Sequence, residues 1–351
     1  MSKTNSGHFF EDFALGQELV HATPRTVSTG DVALHTALYG PRLALHASTP
    51  FAQALGYREA PLDDFMVFHV VFGKTVPDIS LNAVANLGYA RGRFGVPVYP
   101  GDTLSATSTV IGRKETSSGK TGVVYVNTVG SNQHGAMVCD YVRWVMVNKR
   151  DPASPAPEAV VPELPERVAP ESFVVPEGVS FAGYDTTRSG SPHLWDDYTV
   201  GERIDHVDGM TIEEAEHMMA TRLWQNTAKV HFNQYEQASG RFGRRLVYGG
   251  HVISLARSLS FNGLENAVRV AGLNGGLHCN PTFAGDTIHA WSEVLESVPL
   301  PGRDDVGALR LRTVATKDRP CGSFPYRDKE GRILPEVVLD LDYWILLPRR
   351  R

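Results

Sequence analysis

Apolar and polar residues alternate over 83–94, 103–111, 122–129 and 136–147, and again in matching runs of the second half. This period of two marks strands with one buried face. Ahead of each strand set lies a segment that is apolar on every side: Phe65-Met66-Val67-Phe68-His69-Val70-Val71-Phe72 in the first half, and Val252 to Phe261 in the second. A helix without a polar face has to be buried. Earlier still, an alternating strand ends near Thr26 and another near Thr211, and a helix follows each. Thr211-Ile212-Glu213-Glu214 predicts an N-cap with a Glu at the capping-box position, ahead of an apolar face from Ala215 to Trp224. This order predicts an α+β fold in which an antiparallel sheet wraps a buried helix.

The pattern occurs twice because the sequence does. Phe10, Asp12, Gly16, His21, Thr26, Leu38 and His46 return as Trp195, Asp197, Gly201, His206, Thr211, Leu223 and His231 at a spacing of 185 (231 − 46). After a one-residue slip, Asn82-Ala83-Val84 returns as Asn266-Ala267-Val268, and Gly101-Asp102-Thr103 as Gly285-Asp286-Thr287, at 184 (285 − 101). The unit is far longer than the roughly 20–50 residues of solenoid repeats. It predicts two duplicated domains packed about a pseudo-two-fold axis. Asp140-Tyr141 matches Asp342-Tyr343 at 202, which leaves about 18 extra residues (202 − 184) for a surface loop or hairpin within Lys317 to Pro335.

Prolines cluster from Asp151 to Pro176 without the period of a core element, as in a semi-extended linker. The expected organisation is an N-terminal domain over 1–150, a Pro-rich linker over 151–190 and a C-terminal domain over 191–351. The net charge of −5 and the lack of a long basic run argue against nucleic acid or a membrane surface as partner. Met1 to Phe13 carries no charged-then-apolar leader, and the three cysteines, Cys139, Cys279 and Cys321, form no disulfide pattern. A non-secreted, cytoplasmic protein is expected.

Gly119-Lys120-Thr121 ends like a phosphate loop, but Lys114 stands where that loop needs its first glycine, so a hairpin turn is expected. G-x-G-x-x-G, H-E-x-x-H, C-x-x-C and G-x-S-x-G are absent, which removes the usual anchors of dinucleotide, zinc-protease and serine-hydrolase chemistry. The informative segments are Trp224-Gln225-Asn226-Thr227-Ala228-Lys229-Val230-His231-Phe232-Asn233 and Tyr248-Gly249-Gly250-His251. A histidine near neutral pKa can move protons. Glycines opening a buried helix leave backbone N–H groups free for a polarised oxygen. At the equivalent helix start the first half has Asp63 and Asp64, which would repel such an oxygen, so the halves are expected to be functionally unequal.

Duplicated halves with a helix–loop–His segment, a glycine-bearing start to a buried helix, and Tyr-Pro-Gly-Asp-Thr or Phe-Ala-Gly-Asp-Thr opening a strand resemble the MaoC-type double hotdog dehydratases. The resemblance covers nearly the whole chain outside the linker. It implies two tandem hotdog domains and a hydro-lyase that interconverts a 3-hydroxyacyl-CoA and its enoyl-CoA, without metal or cofactor beyond the coenzyme A of the substrate. The Phe-Glu-Asp-Phe opening, the Trp224–Asn233 segment and Tyr-Gly-Gly-His are similar to the branch that acts on mesaconyl-CoA and β-methylmalyl-CoA. A homodimer is left open.

The family motif G-D-x-N-P-[LIV]-H pairs an Asp with a His. His231 and His46 match the His, but Asn226 and Pro41 occupy the Asp position. The resemblance therefore implies His231 as acid/base, Asn226 as the group that positions water, and Gly250 N–H as the oxyanion donor, with Gly249 and His251 beside it. Asp63, Asp64, Glu213 and Glu214 are the alternatives for the missing carboxylate. A second carboxylate on the substrate wants an arginine fork, for which Arg42, Arg91, Arg93, Arg222, Arg244 and Arg245 stand near the segments named, while Lys229 and Arg244 are candidates for coenzyme A phosphates. Hydration of another branched or dicarboxylic enoyl-CoA, thioester hydrolysis through Asp63 or Asp64, and non-catalytic acyl-CoA binding are the competing readings.

Overall fold

The computed structural model describes residues 3–350. Met1, Ser2 and Arg351, where the expected domains begin and end, lie outside the described residues. In the first half β1 (Glu18–Thr26) leads through α1 (Thr29–Tyr39), α2 (Ala44–Ala47) and α3 (Thr49–Ala54) to the long α4 (Asp64–Thr75). Strands β2 (Ala83–Phe94), β3 (Thr103–Glu115), β4 (Thr121–Ser131) and β5 (Met137–Asn148) follow. The second half repeats the order with β6 (Arg203–Thr211), α5 (Glu214–Leu223), α6 (Lys229–Phe232), α7 (Gln234–Gln237) and α8 (Gly249–Leu259). It closes with β7 (Arg269–His278), β8 (Thr287–Pro299), β9 (Val306–Lys317) and β10 (Val337–Pro348).

All ten strands form one antiparallel sheet in the order β1-β3-β4-β5-β2-β7-β10-β9-β8-β6. The second five mirror the first, so the pseudo-two-fold axis runs between β2 and β7. Side chains at equivalent repeat positions meet on that axis. His69 Nε2 and Ser254 Oγ are 3.2 Å apart, and the rings of Tyr39 and Trp224 stack at 5.7 Å. This is the double hotdog architecture that the resemblance implies.

Every residue of α4 is buried, as its all-round apolar sequence requires. Within each half of the sheet the repeated histidine is a structural anchor. His21 Nε2 lies 2.8 Å from Ser108 Oγ, which is 2.7 Å from Thr128 Oγ1; His206, Ser292 and Thr313 reproduce both distances. One predicted boundary moves. The N-cap of α5 is Glu213, not Thr211, because Thr211 still belongs to β6 and its hydroxyl bonds that of Thr287 across the strand pair at 2.8 Å.

Between β5 and β6 the Pro-rich stretch forms no strand, only a short turn at Pro170–Ser172. It is nevertheless held in place, burying Val168, Val179 and Phe181 in a cluster with Ala271, Trp344 and Leu346. The extra residues between β9 and β10 fold back so that Pro325 carbonyl accepts from Trp291 Nε1 at 3.0 Å. Gly119, at φ +65°, sits in the hairpin between β3 and β4. Among the described residues no helix is long and apolar enough to cross a membrane.

Candidate functional site

A cleft of about 540 Å³ opens where the two halves meet, within the size range of small-molecule sites. Its first-half wall comes from Phe72, Ser80, Asn86, Tyr89 and Arg143, and its second-half wall includes Asn226, His231, Tyr248, Gly249 and His278. Two walls of different chemistry thus face one space.

His231 lies on the one-turn helix α6 and is held by a single bond: its Nδ1–H donates to the Leu246 carbonyl at 3.0 Å. A carbonyl only accepts, so the proton is on Nδ1 and Nε2 carries the lone pair. Burial pushes this imidazole down to about 4, which keeps it neutral at physiological pH. His46 is held in the same way by Pro61 carbonyl at 3.0 Å, but its Nε2 is buried without a partner and the residue does not line the cleft. The duplicated histidines share a support and differ in what they face.

Asn226 is almost fully buried at the cleft wall, with Oδ1 accepting from Ala228 N–H at 3.1 Å. That bond uses one of the two lone pairs of Oδ1, and among the described residues the NH2 makes no bond within the chain, so it is available to a ligand. The preceding Gln225 takes a left-handed φ of +54°, matching Gly40 at +53° in the first half, so the chain turns sharply enough to bring Asn226 inward.

The helix starts separate the halves most clearly. On α4 the N-terminal amides of Phe65 and Met66 are already taken by Asp63 Oδ1 at 2.9 and 3.3 Å. On α8 the N-cap is Tyr248, which gives no side-chain bond. Among the described residues the N–H groups of Gly249 and Gly250 have no partner within the chain, as expected for the open first turn of a helix. A Cβ at 249 would come within 2.4 Å of the His278 ring, and one at 250 within 2.5 Å of the Tyr248 ring, so a side chain at either position would have to displace a ring of the cleft. The open, positive end of α8 therefore adjoins the cleft.

The sequence-predicted residues divide accordingly. Asn226, His231 and Gly249 line the cleft together; Gly250 lies one step behind them against Tyr248 and His69. His251 does not line it, and its Nδ1 is bonded to Tyr39 hydroxyl at 2.7 Å. Lys229 pairs with Glu236, Arg244 covers the Phe283 ring at 3.9 Å, and Arg222 borders a different, shallower hollow beside Lys74. Asp64 is committed to a buried ion pair with Arg269 at 2.6 Å, and Asp63 to capping α4; neither lines the cleft. Glu214 pairs with Arg245. None of the six arginines expected near a substrate carboxylate lines the cleft, whereas the buried Arg143 and, in the loop between α7 and α8, Arg241 do.

The sequence reading gave no role to several cleft residues, among them His278, Tyr248 and Arg143. His278, pushed down to about 4 by burial, has Nε2 3.2 Å from the hydroxyl of Tyr89 in the other half. Tyr248 packs its ring 5.6 Å from that of His231. Arg143 is fully buried. The repeat itself held the signal: at 184, His278 replaces Phe94, and at 202, Arg143 stands against Ile345.

Comparison with known proteins points one way. The family described as mesaconyl-CoA hydratase matches residues 1–325. The chain is 67% identical over 349 residues to the β-methylmalyl-CoA dehydratase of Chloroflexus aurantiacus, covering 99% of each. It is 62% identical to the mesaconyl-CoA hydratase of Cereibacter sphaeroides, covering 99% of this chain and 100% of that one. The crystal structure of a MaoC domain protein from Chloroflexus aurantiacus superposes with a TM-score of 0.98 at 67% identity, over 100% of both chains. A Mycobacterium tuberculosis protein described as a double hotdog fold gives 0.80 at 25% identity, over 98% of this chain and 99% of that one.

Proposed function

Since the chain belongs to the mesaconyl-CoA hydratase family of MaoC-type double hotdog dehydratases, we infer that it is a hydro-lyase interconverting β-methylmalyl-CoA with mesaconyl-CoA and water. The observation that carries the chemistry is the neutral His231, its Nε2 lone pair free, on the same cleft wall as the open N-terminus of α8.

In the hydration direction His231 Nε2 takes a proton from water as the water oxygen bonds to Cβ. The C=C electron pair moves toward the thioester, whose oxygen gains charge. Gly250 N–H and the positive end of α8 stabilise that oxygen, an arrangement in which one donor is worth about 10²–10³ in rate. The imidazolium then returns its proton to Cα, so a single base serves both transfers and no carboxylate is needed. Asn226 donates from its NH2 to hold the water or substrate oxygen in line. His231→Ala is expected to lower turnover of mesaconyl-CoA by 10²–10⁴ without unfolding the protein, followed by loss of the enoyl-thioester absorbance without release of free thiol. Near-normal turnover in that variant would remove His231 from the mechanism, and thiol release by the unaltered protein would make it a thioesterase.

The same reading keeps 1–150 and 191–351 as the two hotdog domains about the 151–190 linker. A cytoplasmic location and assembly into a homodimer are further proposals that accompany this reading. Three unpaired cysteines suit a reducing compartment, and light scattering at twice the chain mass tests the dimer.

A further inference from the structure

Arg143 is a buried cation without an anion. It projects from β5 with no exposed surface, and among the described residues no carboxylate lies within ion-pair distance of it. Its Nη2 donates to Thr75 Oγ1 at 2.8 Å and Ser80 Oγ at 3.3 Å, and its Cζ sits 4.2 Å over the Phe72 ring. Its Nε and Nη1 have no partner. Of the other deeply buried arginines, Arg269 is matched by Asp64 at 2.6 Å, and Arg257 bonds only Ser260 and does not line the cleft. A buried guanidinium left with unused donors is costly, and at the mirrored position the second half carries a fully buried Ile345 instead.

A second, independent group stands beside it on the same wall. Asn86 lines the cleft, and neither its amide oxygen nor its nitrogen has a partner. Ser80 lines the cleft as well. Phe72, under the guanidinium, lies 5.8 Å from the Tyr248 ring, which in turn is 5.6 Å from His231, so the cation and the base share one cavity through two rings.

We propose that Arg143, with Asn86 and Ser80, is the recognition site for a second carboxylate on the acyl group. The first half supplies recognition and the second half supplies chemistry, with a dicarboxylic acyl chain bridging the two walls. This rests on the acyl-CoA reading given above and adds to it the group that excludes monocarboxylic thioesters. With Nη2 held by Thr75 and Ser80, Nε and Nη1 share no edge of the guanidinium, so the carboxylate accepts one charge-assisted N–H bond from Nη1 and a second from the Asn86 NH2.

The test is binding of two saturated thioesters of equal chain length that cannot be hydrated, freshly prepared succinyl-CoA and butyryl-CoA, followed by tryptophan fluorescence in wild type, Arg143→Met and Arg143→Lys. Wild type is expected to prefer succinyl-CoA by at least about 30-fold; Arg143→Met is expected to bring the ratio near one, and Arg143→Lys to leave it in between. Removing an unpaired buried charge should also leave the thermal midpoint of Arg143→Met unchanged or raised. No preference in wild type, or a preference that survives in Arg143→Met, overturns the proposal. Should Arg143→Met fail to fold, the ratio in Arg143→Lys decides in the same way. Mesaconyl-CoA turnover is read separately: a lost preference in the variant with no hydration by wild type sinks the reaction and keeps the carboxylate site, whereas hydration with an unchanged preference does the reverse.

Discussion

Replacing Asp64 by Asn takes the charge out of the ion pair that fastens the two halves together. Asp64 opens α4 in the first half; its Oδ1 accepts from Arg269 Nη2 at 2.6 Å and Nε at 3.2 Å, and its Oδ2 accepts from Val270 N–H at 2.9 Å. Both partners are about 95% buried, and Arg269 Nη1 also donates to Gly95 carbonyl at 3.1 Å. The amide keeps the shape but turns an NH2 toward N–H donors and leaves the guanidinium without a counter-charge. Breaking a buried pair from one side costs about 3–5 kcal/mol. At about 2.1 cal/mol/K per residue, 351 residues unfold with an entropy of about 0.7 kcal/mol/K. The thermal midpoint should therefore fall by about 4–7 °C by circular dichroism, while turnover at 25 °C stays within about threefold of wild type because Asp64 does not line the cleft. The double substitution Asp64→Leu with Arg269→Met should recover most of the loss, since an apolar pair removes both charges together. A midpoint shift below 1 °C would refute the energetic reasoning. Loss of turnover with an unchanged midpoint would return Asp64 to the chemistry and favour thioester hydrolysis.

Burial holds His231 and His278 down to about 4 and His251 to about 3, whereas unfolded histidine titrates near 6.5. The unfolded chain binds more protons between those values, so stability is complete above pH 6.5 and falls as pH drops toward 4; denaturant midpoints at pH 7 and pH 5 measure it. The acid limb of kcat/KM should likewise lie near pH 4–5, and a limb at 6.5 would mean that His231 is not desolvated in the free enzyme. Gly73→Ala would place a Cβ 1.6 Å from Trp224 carbonyl, a backbone atom, so a loss of about 3 kcal/mol or more is expected in urea unfolding, together with a raised KM as the turn carrying Asn226 shifts. In Gly249→Ala the Cβ would meet the His278 side chain at 2.4 Å, and that ring can give way. Stability should drop by only about 1 kcal/mol, whereas kcat should fall by about 10²–10³ as the open turn of α8 is displaced; equal loss in both readouts would point to a purely structural glycine.

The duplication, the strands and both buried helices were legible in the chain because period and spacing are local properties. Alternation over 103–111 reports a half-buried strand, here Thr103–Glu115, whatever lies against it. The pairing of His46 with His231, and the contrast of Asp63-Asp64 with Gly249-Gly250, were also legible, and they marked the halves as unequal. What the sequence could not decide was which groups face one another. Asp64 stood among the alternatives for the missing carboxylate until β7 brought Arg269 against it from 205 residues away. His278 and Arg143 read as ordinary strand residues, because periodicity tells which side of a strand is covered and not what covers it. The pairing of β2 with β7 made that choice: it closed the cleft between the halves, put a neutral imidazole and an open helix end on one wall, and left an unpaired guanidinium on the other.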